Sequence, residues 1–300
     1  MSVVVLAGGT GGAKLARGML DVAGDDLAVI ANTADDVDVY GARVSPDPDL
    51  CTFWLADRID ERGWGLRDDS FNVMDGLREI GVDVWFNLGD RDLAIGIERS
   101  RRLAEGARLT ETLAELGEAL GLRARVLPMA DEPVATRVLA RGAWRPFQEF
   151  MILDRGEGPV EDVAFDGIER AAATPEVLTA IASAEAIVIG PSNPIISIRP
   201  ILAVPGIEDA LRAAGAPVVA VSPIVGGGVV KGPTEPFMDW AGLTLDGDGI
   251  AACYGDLLDG IVSDDEVAGL PSLRIPTLMS GPEQRRDVAA ATLAFARSLG

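Results

Sequence analysis

Three hundred residues, 48% of them hydrophobic and 24% charged, are enough to bury a large core without disulfide or metal staples. The 26 Lys and Arg against 47 Asp and Glu leave a net charge of −21, which excludes a nucleic-acid binder working through a broad basic surface and disfavours anionic membranes. There is no histidine, so a Ser-His-Asp triad, a His-Cys dyad and a histidine-ligated metal are excluded, and acid–base chemistry falls mainly to carboxylates.

Residues 3–6 are a β-branched apolar run, followed by Gly8-Gly9-Thr10-Gly11-Gly12. A helical pattern over 13–20 places Leu15, Met19 and Leu20 on one face, and 27–31 reads as a second buried strand. Strand, glycine loop, helix and strand open a doubly wound α/β sheet. The fold expected is Rossmann-like: a mostly parallel sheet in one domain over 1–300, with a smaller lobe inserted roughly within 50–170. Backbone N–H groups in such a loop, with the dipole of the helix behind them, suit a phosphate. Gly9, Thr10, Gly11 and Lys14 are therefore candidate nucleotide-binding residues, a ligand-free tight turn being the alternative. Ala13 stands where a Walker A loop has glycine, and Lys14 where a dinucleotide fingerprint has its third glycine.

Asn32-Thr33-Ala34-Asp35-Asp36 leaves the second strand, and Ser45-Pro46-Asp47-Pro48-Asp49 follows. Both read as loops at the carboxyl ends of parallel strands, where α/β sheets bind ligands. Their carboxylates suit Mg²⁺ held through one or two oxygens, with waters and substrate phosphates completing its shell. One of them could instead accept a proton. Asp35, Asp47 and Asp49 are the candidate metal ligands, and a solvated acidic loop is the alternative.

Further along, 71–80 and 109–120 read as helices, with 84–88 and 124–127 as short strands. Trp85-Phe86 runs into Asn87-Leu88-Gly89-Asp90-Arg91-Asp92, a polar turn that would offer a stacking surface to a flat ligand or close on its own Arg91 salt bridge. Segments 147–153 and 160–165 flank a turn-rich link and read as an antiparallel pair. A strand over 186–189 ends at Gly190-Pro191-Ser192-Asn193-Pro194, a rigid turn whose Ser and Asn suit base or sugar edges. A helix over 207–214, a strand over 218–221 ending at Ser222-Pro223, and a sheet-closing helix over 287–299 complete the pattern. The uncharged stretch 213–230 is broken by Pro217, Pro223 and Gly226-Gly227-Gly228, so it is not a membrane span. No targeting signal precedes the first strand, which implies a cytoplasmic protein. Cys51 and Cys253 fit no zinc or redox spacing and read as two buried thiols.

Taken together these stretches resemble the 2-phospho-L-lactate transferase (CofD) family of coenzyme F420 biosynthesis. The resemblance runs in order through Gly8-Gly9-Thr10-Gly11, Asn32-Thr33-Ala34-Asp35-Asp36, Ser45-Pro46-Asp47-x-Asp49 and Leu88-Gly89-Asp90-Arg91-Asp92. It continues through Leu127-Pro128-Met129, Phe147-Gln148, Gly190-Pro191-Ser192-Asn193-Pro194, Ser222-Pro223-Ile224 and Thr277-Leu278-Met279. It implies a Mg²⁺-assisted transferase, homodimeric by default, whose donor is a guanosine-diphosphate-linked three-carbon acid. The implied acceptor is the deazaflavin alcohol Fo, reacting through its ribityl hydroxyl with release of GMP. It further implies that Asp49 and Asn87 contact Fo, with Gly89, Asp90 and Arg91 shaping that pocket. Gly9, Thr10, Gly11 and Lys14 would lie near the diphosphate, and Gly190, Ser192 and Asn193 near the guanosine. Asp49, with Asp47 beside it, is the catalytic candidate, as metal ligand or general base.

Two departures from the family pattern stand out. Pro48 stiffens the backbone between the two acids, and Gly96 replaces a histidine that many members carry. No motif chooses among phospholactate, phosphoenolpyruvate and phosphoglycerate. The competing readings are a non-enzymatic nucleotide-sugar-binding regulator of the gluconeogenesis-factor type, with a similar glycine loop and acidic segment, and an NAD-dependent oxidoreductase suggested by fold alone.

Overall fold

Seven short strands line up as one parallel sheet in the computed structural model, which describes residues 2–300. They are β1 (Val3–Ala7), β2 (Leu27–Ala31), β3 (Arg125–Pro128), β4 (Ala186–Ile189), β5 (Val218–Val221), β6 (Gly260–Ser263) and β7 (Ser272–Arg274). Their order across the sheet is β7-β6-β5-β4-β1-β2-β3, and every neighbouring pair is parallel. Val3 of β1 thus lies opposite Leu27 on one side and Ala186 on the other. This is the Rossmann-like doubly wound order. Winding reverses between β1 and β4, so the loops leaving their carboxyl ends diverge and open a crevice there.

The central strands read as unbroken apolar runs because both faces of the sheet are covered. Val4, Leu6, Ala28, Ile30, Ile187 and Ile189 face one layer, meeting Val177, Ile181, Ile207 and Leu211 from its helices. Val3, Val5, Leu27, Val29 and Val188 face the other, where α1 (Gly9–Ala23) contributes Leu15 and Met19 and the C-terminal helix Pro282–Leu299 contributes Val288 and Leu293. Each such fully buried aliphatic side chain is worth roughly 1.5–3 kcal/mol of burial.

Between β2 and β3 run a hairpin (Val37–Val39 with Ala42–Val44), α2 (Pro46–Leu55), α3 (Asn72–Glu79), α4 (Asp90–Ala104) and a helix over Leu109–Ala119. Between β3 and β4 lies a three-stranded antiparallel sheet of Ala143–Pro146, Ala135–Ala140 and Val160–Asp166.

Several local expectations are corrected here. Residues 147–153 contain a helix, Phe147–Ile152, and Val160–Asp166 pairs with Ala135–Ala140 instead. Phe147 and Phe150 are three apart and both buried, a spacing a strand would send to opposite faces; Phe150 meets Phe237 edge-on at 6.1 Å. Residues 84–88 have no ladder partner and pack Trp85 and Phe86 against a small cluster around Val39, Met74 and Leu88. The segment 45–49, read as a loop, instead leads into α2 (Pro46–Leu55), with Pro46 in its first turn, where the missing N–H has no partner to lose. The polar turn expected at 90–92 is the start of the 15-residue helix α4. Gly96 lets α4 settle on the hairpin: a β-carbon there would come within 3.1 Å of both Ala42 Cβ and the Arg43 carbonyl. Of the two thiols, Cys51 is buried but Cys253 is only partly so. No helix among the described residues is long and apolar enough to cross a membrane.

Candidate active site

The crevice at the β1/β4 switch point holds a cavity of about 550 Å³. Gly8, Gly9, Thr10, Gly11 and Lys14 line it from β1 and α1, and Pro191, Ser192 and Asn193 from the turn after β4. Asp35 and Asp47 supply its acids. Phe147, Gln148 and Met151, the short hairpin Ile224–Val225/Gly228–Val229 with Lys231 after it, and Thr277-Leu278-Met279 complete the walls.

The glycines serve distinct purposes. Gly9 adopts a left-handed φ of +61°, and its N–H donates to Asp47 Oδ1 at 2.6 Å. At Gly11 a β-carbon would lie 2.0 Å from the Pro191 carbonyl oxygen, so only glycine lets the two loops touch backbone to backbone. Ser192 clips them together: its Oγ accepts from Gly8 N–H (3.1 Å) and donates to Gly8 C=O (2.6 Å). Its hydroxyl therefore serves the scaffold of the proposed nucleotide site. Gly190 sits just behind the loop, where a β-carbon would meet Gly12 Cα at 3.0 Å. Asn193 caps the π-helical turn Pro194–Ile198, its Oδ1 accepting from Ile195 and Ile196 N–H at 2.9 and 3.2 Å. Its Nδ2 is left buried without a partner.

Asp35 and Asp47 are both buried against the cavity. Asp47 also accepts from Asn32 Nδ2 at 3.0 Å, and Asn32 is itself held by accepting from Ala34 N–H at 2.9 Å. Burial pushes the Asp47 carboxyl up to about 6, against the pull of the Gly9 and Asn32 hydrogen bonds. Burial first, and the neighbouring Asp47 charge second, push Asp35 well above the ordinary carboxylate range. Asp35 Oδ1 has no hydrogen-bond partner among the described residues. Asp36 is turned to structural use, accepting from Ser45 Oγ at 2.7 Å with Arg43 Nε at 3.5 Å, although burial still raises it to about 7.

Asp49 does not share this site. Two residues along a helix rotate a side chain by roughly 200°, so it leaves α2 on the side away from Asp47. There both terminal nitrogens of Arg99 grip its carboxylate, and Arg99 Nη1 also donates to the Arg43 carbonyl at 2.9 Å. Arg99 is completely buried. Sequence reading passed over it, yet it shares the buried stripe of Leu93 and Gly96 on α4, and an arginine on such a stripe signals an ion-paired partner.

Residues 87–92 form a shoulder outside the cavity. Asp90 accepts from Ser70 Oγ (2.7 Å), Asn72 Nδ2 (2.9 Å), Asn72 N–H (3.1 Å) and Val73 N–H (2.9 Å), capping α3. These bonds hold its carboxyl down at about 2. In exchange Asp69 caps α4, accepting from Arg91 and Asp92 N–H at 2.9 and 3.2 Å. A β-carbon on Gly89 would come within 2.1 Å of the Asp69 carboxylate, which explains the glycine in Gly-Asp-Arg-Asp. Exposed Asn87 accepts from Arg78 Nη2 at 2.8 Å. The shoulder and the cavity meet through Arg62, whose guanidinium stacks on Trp64 at the cavity wall (4.3 Å) and on Phe71 before α3 (5.4 Å).

The structure thus gathers Gly9, Thr10, Gly11, Lys14, Asp35, Asp47, Ser192 and Asn193 around one cavity and puts Asp49, Asn87, Gly89, Asp90 and Arg91 beside it. Asn32, Trp64, Gln148 and Lys231 join the site without having been singled out as ligand-binding residues from sequence; Asn32 had one available signal, its place in the quoted acidic motif.

Comparison with known proteins places this arrangement among relatives. The 2-phospho-L-lactate transferase CofD family model matches residues 3–269. The 2-phospho-L-lactate transferase of Methanosarcina mazei is 38% identical over 298 residues, covering 96% of this chain and 98% of that protein. The phosphoenolpyruvate transferase of Kitasatospora aureofaciens is 38% identical over 321 residues, covering 100% of this chain and 99% of that one. A solved structure of a UPF0052 family member from Bacillus halodurans shares the fold, with a TM-score of 0.65 at 15% identity over 97% of this chain and 98% of that one.

Proposed function

The chain belongs to the 2-phospho-L-lactate transferase CofD family and is a transferase, and on that premise we propose its reaction: transfer of a phosphorylated three-carbon acid from a guanosine-diphosphate-linked donor to the ribityl hydroxyl of the deazaflavin Fo, releasing GMP, in coenzyme F420 biosynthesis. The observation that carries this reading is the meeting, in one cavity at the switch point, of a helix N-terminus, a glycine loop and two buried carboxylates, one with an unpartnered oxygen. Displacement at phosphorus depends on positioning and charge stabilisation more than on covalent chemistry, so a site without histidine is adequate.

The N-terminus of α1 and Lys14 hold the diphosphate, and the free Asn193 Nδ2 offers a donor to the guanosine. Asp35 and Asp47 are the pair we assign to Mg²⁺, which binds through one or two carboxylates and keeps waters and phosphate oxygens for the rest. The orphaned Asp35 Oδ1 fits that role; among the described residues no cluster of three or more ligating side chains forms, which such an ion does not need. When bound, the ion would offset charge on the phosphate oxygens. Asp49, Asn87, Gly89, Asp90 and Arg91 form the acceptor side, joined to the cavity by Arg62. The hydroxyl proton passes to a carboxylate on α2, where Asp47 and Asp49 are the two choices.

Incubating the protein with Fo, Mg²⁺ and, in separate reactions, the guanylylated phospholactyl, phosphoenolpyruvyl and phosphoglyceryl donors tests the proposal by mass spectrometry. GMP and a deazaflavin phosphodiester are expected with one donor or more. Absence of product with all three overturns the reading.

A further inference from the structure

Only two of the 26 basic residues are lysines, and both line the same cavity: Lys14 from α1 and Lys231 from the segment that follows the hairpin Ile224–Val225/Gly228–Val229. Neither is neutralised. Lys14 lies over the Trp54 ring at 5.9 Å, and among the described residues no carboxylate forms an ion pair with either amine. Burial first, then the charges of Arg285 and of Lys231, lower the Lys14 amine below its ordinary range. In a chain of net charge −21, two uncompensated cations around one cavity mark a place completed by ligand anions.

On the reading above, the donor's diphosphate would account for Lys14, beside the α1 N-terminus. Lys231 is left over. The two relatives' names describe phospholactate and phosphoenolpyruvate, acids that differ in the bonding of their carbon chain but share a carboxylate. That carboxylate is the donor's remaining anion. Lys231 is exposed to solvent, and the lining beside it is apolar (Val229, Val230 and Pro233). Gly226 and Gly232 bracket the segment with left-handed φ values of +59° and +88°, Val230 is 61% exposed, and the hairpin is held at its tip by the Gly226 N–H donating to Asp264 Oδ2 at 2.6 Å.

We propose that Lys231 recognises the carboxylate of the transferred three-carbon acid and so makes the enzyme selective for carboxylated donors; this rests on the donor proposed above. The test compares two probes, guanosine diphosphate esterified with a 1-carboxyethyl group and the same compound with a plain ethyl group, in wild-type, Lys231→Met and Lys231→Arg proteins. Lys231→Met should lower kcat/KM for the carboxyethyl donor by about 10- to 100-fold, the usual range for losing a hydrogen bond to a charged group, mostly through KM. It should leave the ethyl donor and the Kd of GDP within about twofold, and Lys231→Arg should recover most of the selectivity. Equal losses with both donors, or weakened GDP binding, would assign Lys231 to the diphosphate and overturn the proposal, as would unchanged selectivity. Failure of the wild-type protein with both donors would instead bring down the donor reading, and this inference with it.

Discussion

Asp47 and Asp49 stand two residues apart on one helix and end in opposite circumstances. Among the described residues the cavity wall around Asp47 has open valences: an unpartnered Asp35 oxygen, an unpartnered Asn193 amide nitrogen and two lysines without an ion pair. The shoulder around Asp49 is more nearly closed: both terminal nitrogens of Arg99 hold Asp49, although Arg99 Nε has no partner among the described residues, and Asp90 and Asp69 exchange caps between α3 and α4. Buried polar groups are normally satisfied, and those left open on Asp35 and Asn193 belong to residues that line a space a ligand can enter. The two sides therefore lead to different expected responses when each is altered.

The sharpest way to break this contrast is Arg99→Met. It leaves Asp49 enclosed without its counter-charge and should cost about 3–5 kcal/mol in urea unfolding, with part of the loss recovered in Arg99→Met/Asp49→Asn. Native stability of the single variant would show that the pair holds nothing together. Next in size, Asp47→Asn should cut turnover by on the order of a hundredfold or more while leaving the melting temperature level or higher, because a buried charge is removed. Asp49→Asn should lose both turnover and stability, since Arg99 is then stranded. If the two variants behave alike in thermal melts, the division into open and closed sides fails.

The smallest effect concerns pH, where neighbours on α4 respond in opposite directions. Burial first, then the Asp49 charge, raises Asp92 to about 7 from an ordinary 3.8, so its contribution is intact below about pH 4 and disappears as pH rises through 7. Asp90, held at about 2 by its hydrogen bonds, contributes above about pH 4 and fades as pH falls toward 2. Asp92→Asn should therefore raise the melting temperature most at pH 8, by less at pH 5, and hardly at all below about pH 4. A gain of equal size at all three would remove ionisation of Asp92 as the cause.

Much of the fold was legible because its signals are local. The apolar runs at Val3–Ala7 and Leu27–Ala31, with glycines and a helical period between them, specify a strand–helix–strand unit from side-chain spacing alone. The glycine loop was legible for the same reason, as was its meeting with Gly190-Pro191-Ser192-Asn193, which follows from where a doubly wound sheet puts its strand ends. Misreadings arose where local pattern and packing disagree: Phe147 reads as the start of a β-rich run until Phe150 finds Phe237 on a distant helix. The functional split among the acids lay further out of reach. By composition Asp35, Asp47, Asp49 and Asp90 are the same carboxylate, and each acquires its role from a partner supplied elsewhere in the chain. Arg99 reaches Asp49 across fifty positions, Gly9 reaches Asp47 across thirty-eight, and Asn72 reaches Asp90 across eighteen. The sequence by itself determined which elements form, because spacing decides which face of a helix or strand can be buried. Only the tertiary structure decided which charges are spent and which stay open, because neutralising a buried carboxylate takes a donor within about 3 Å, and that proximity exists only after the chain has closed on itself.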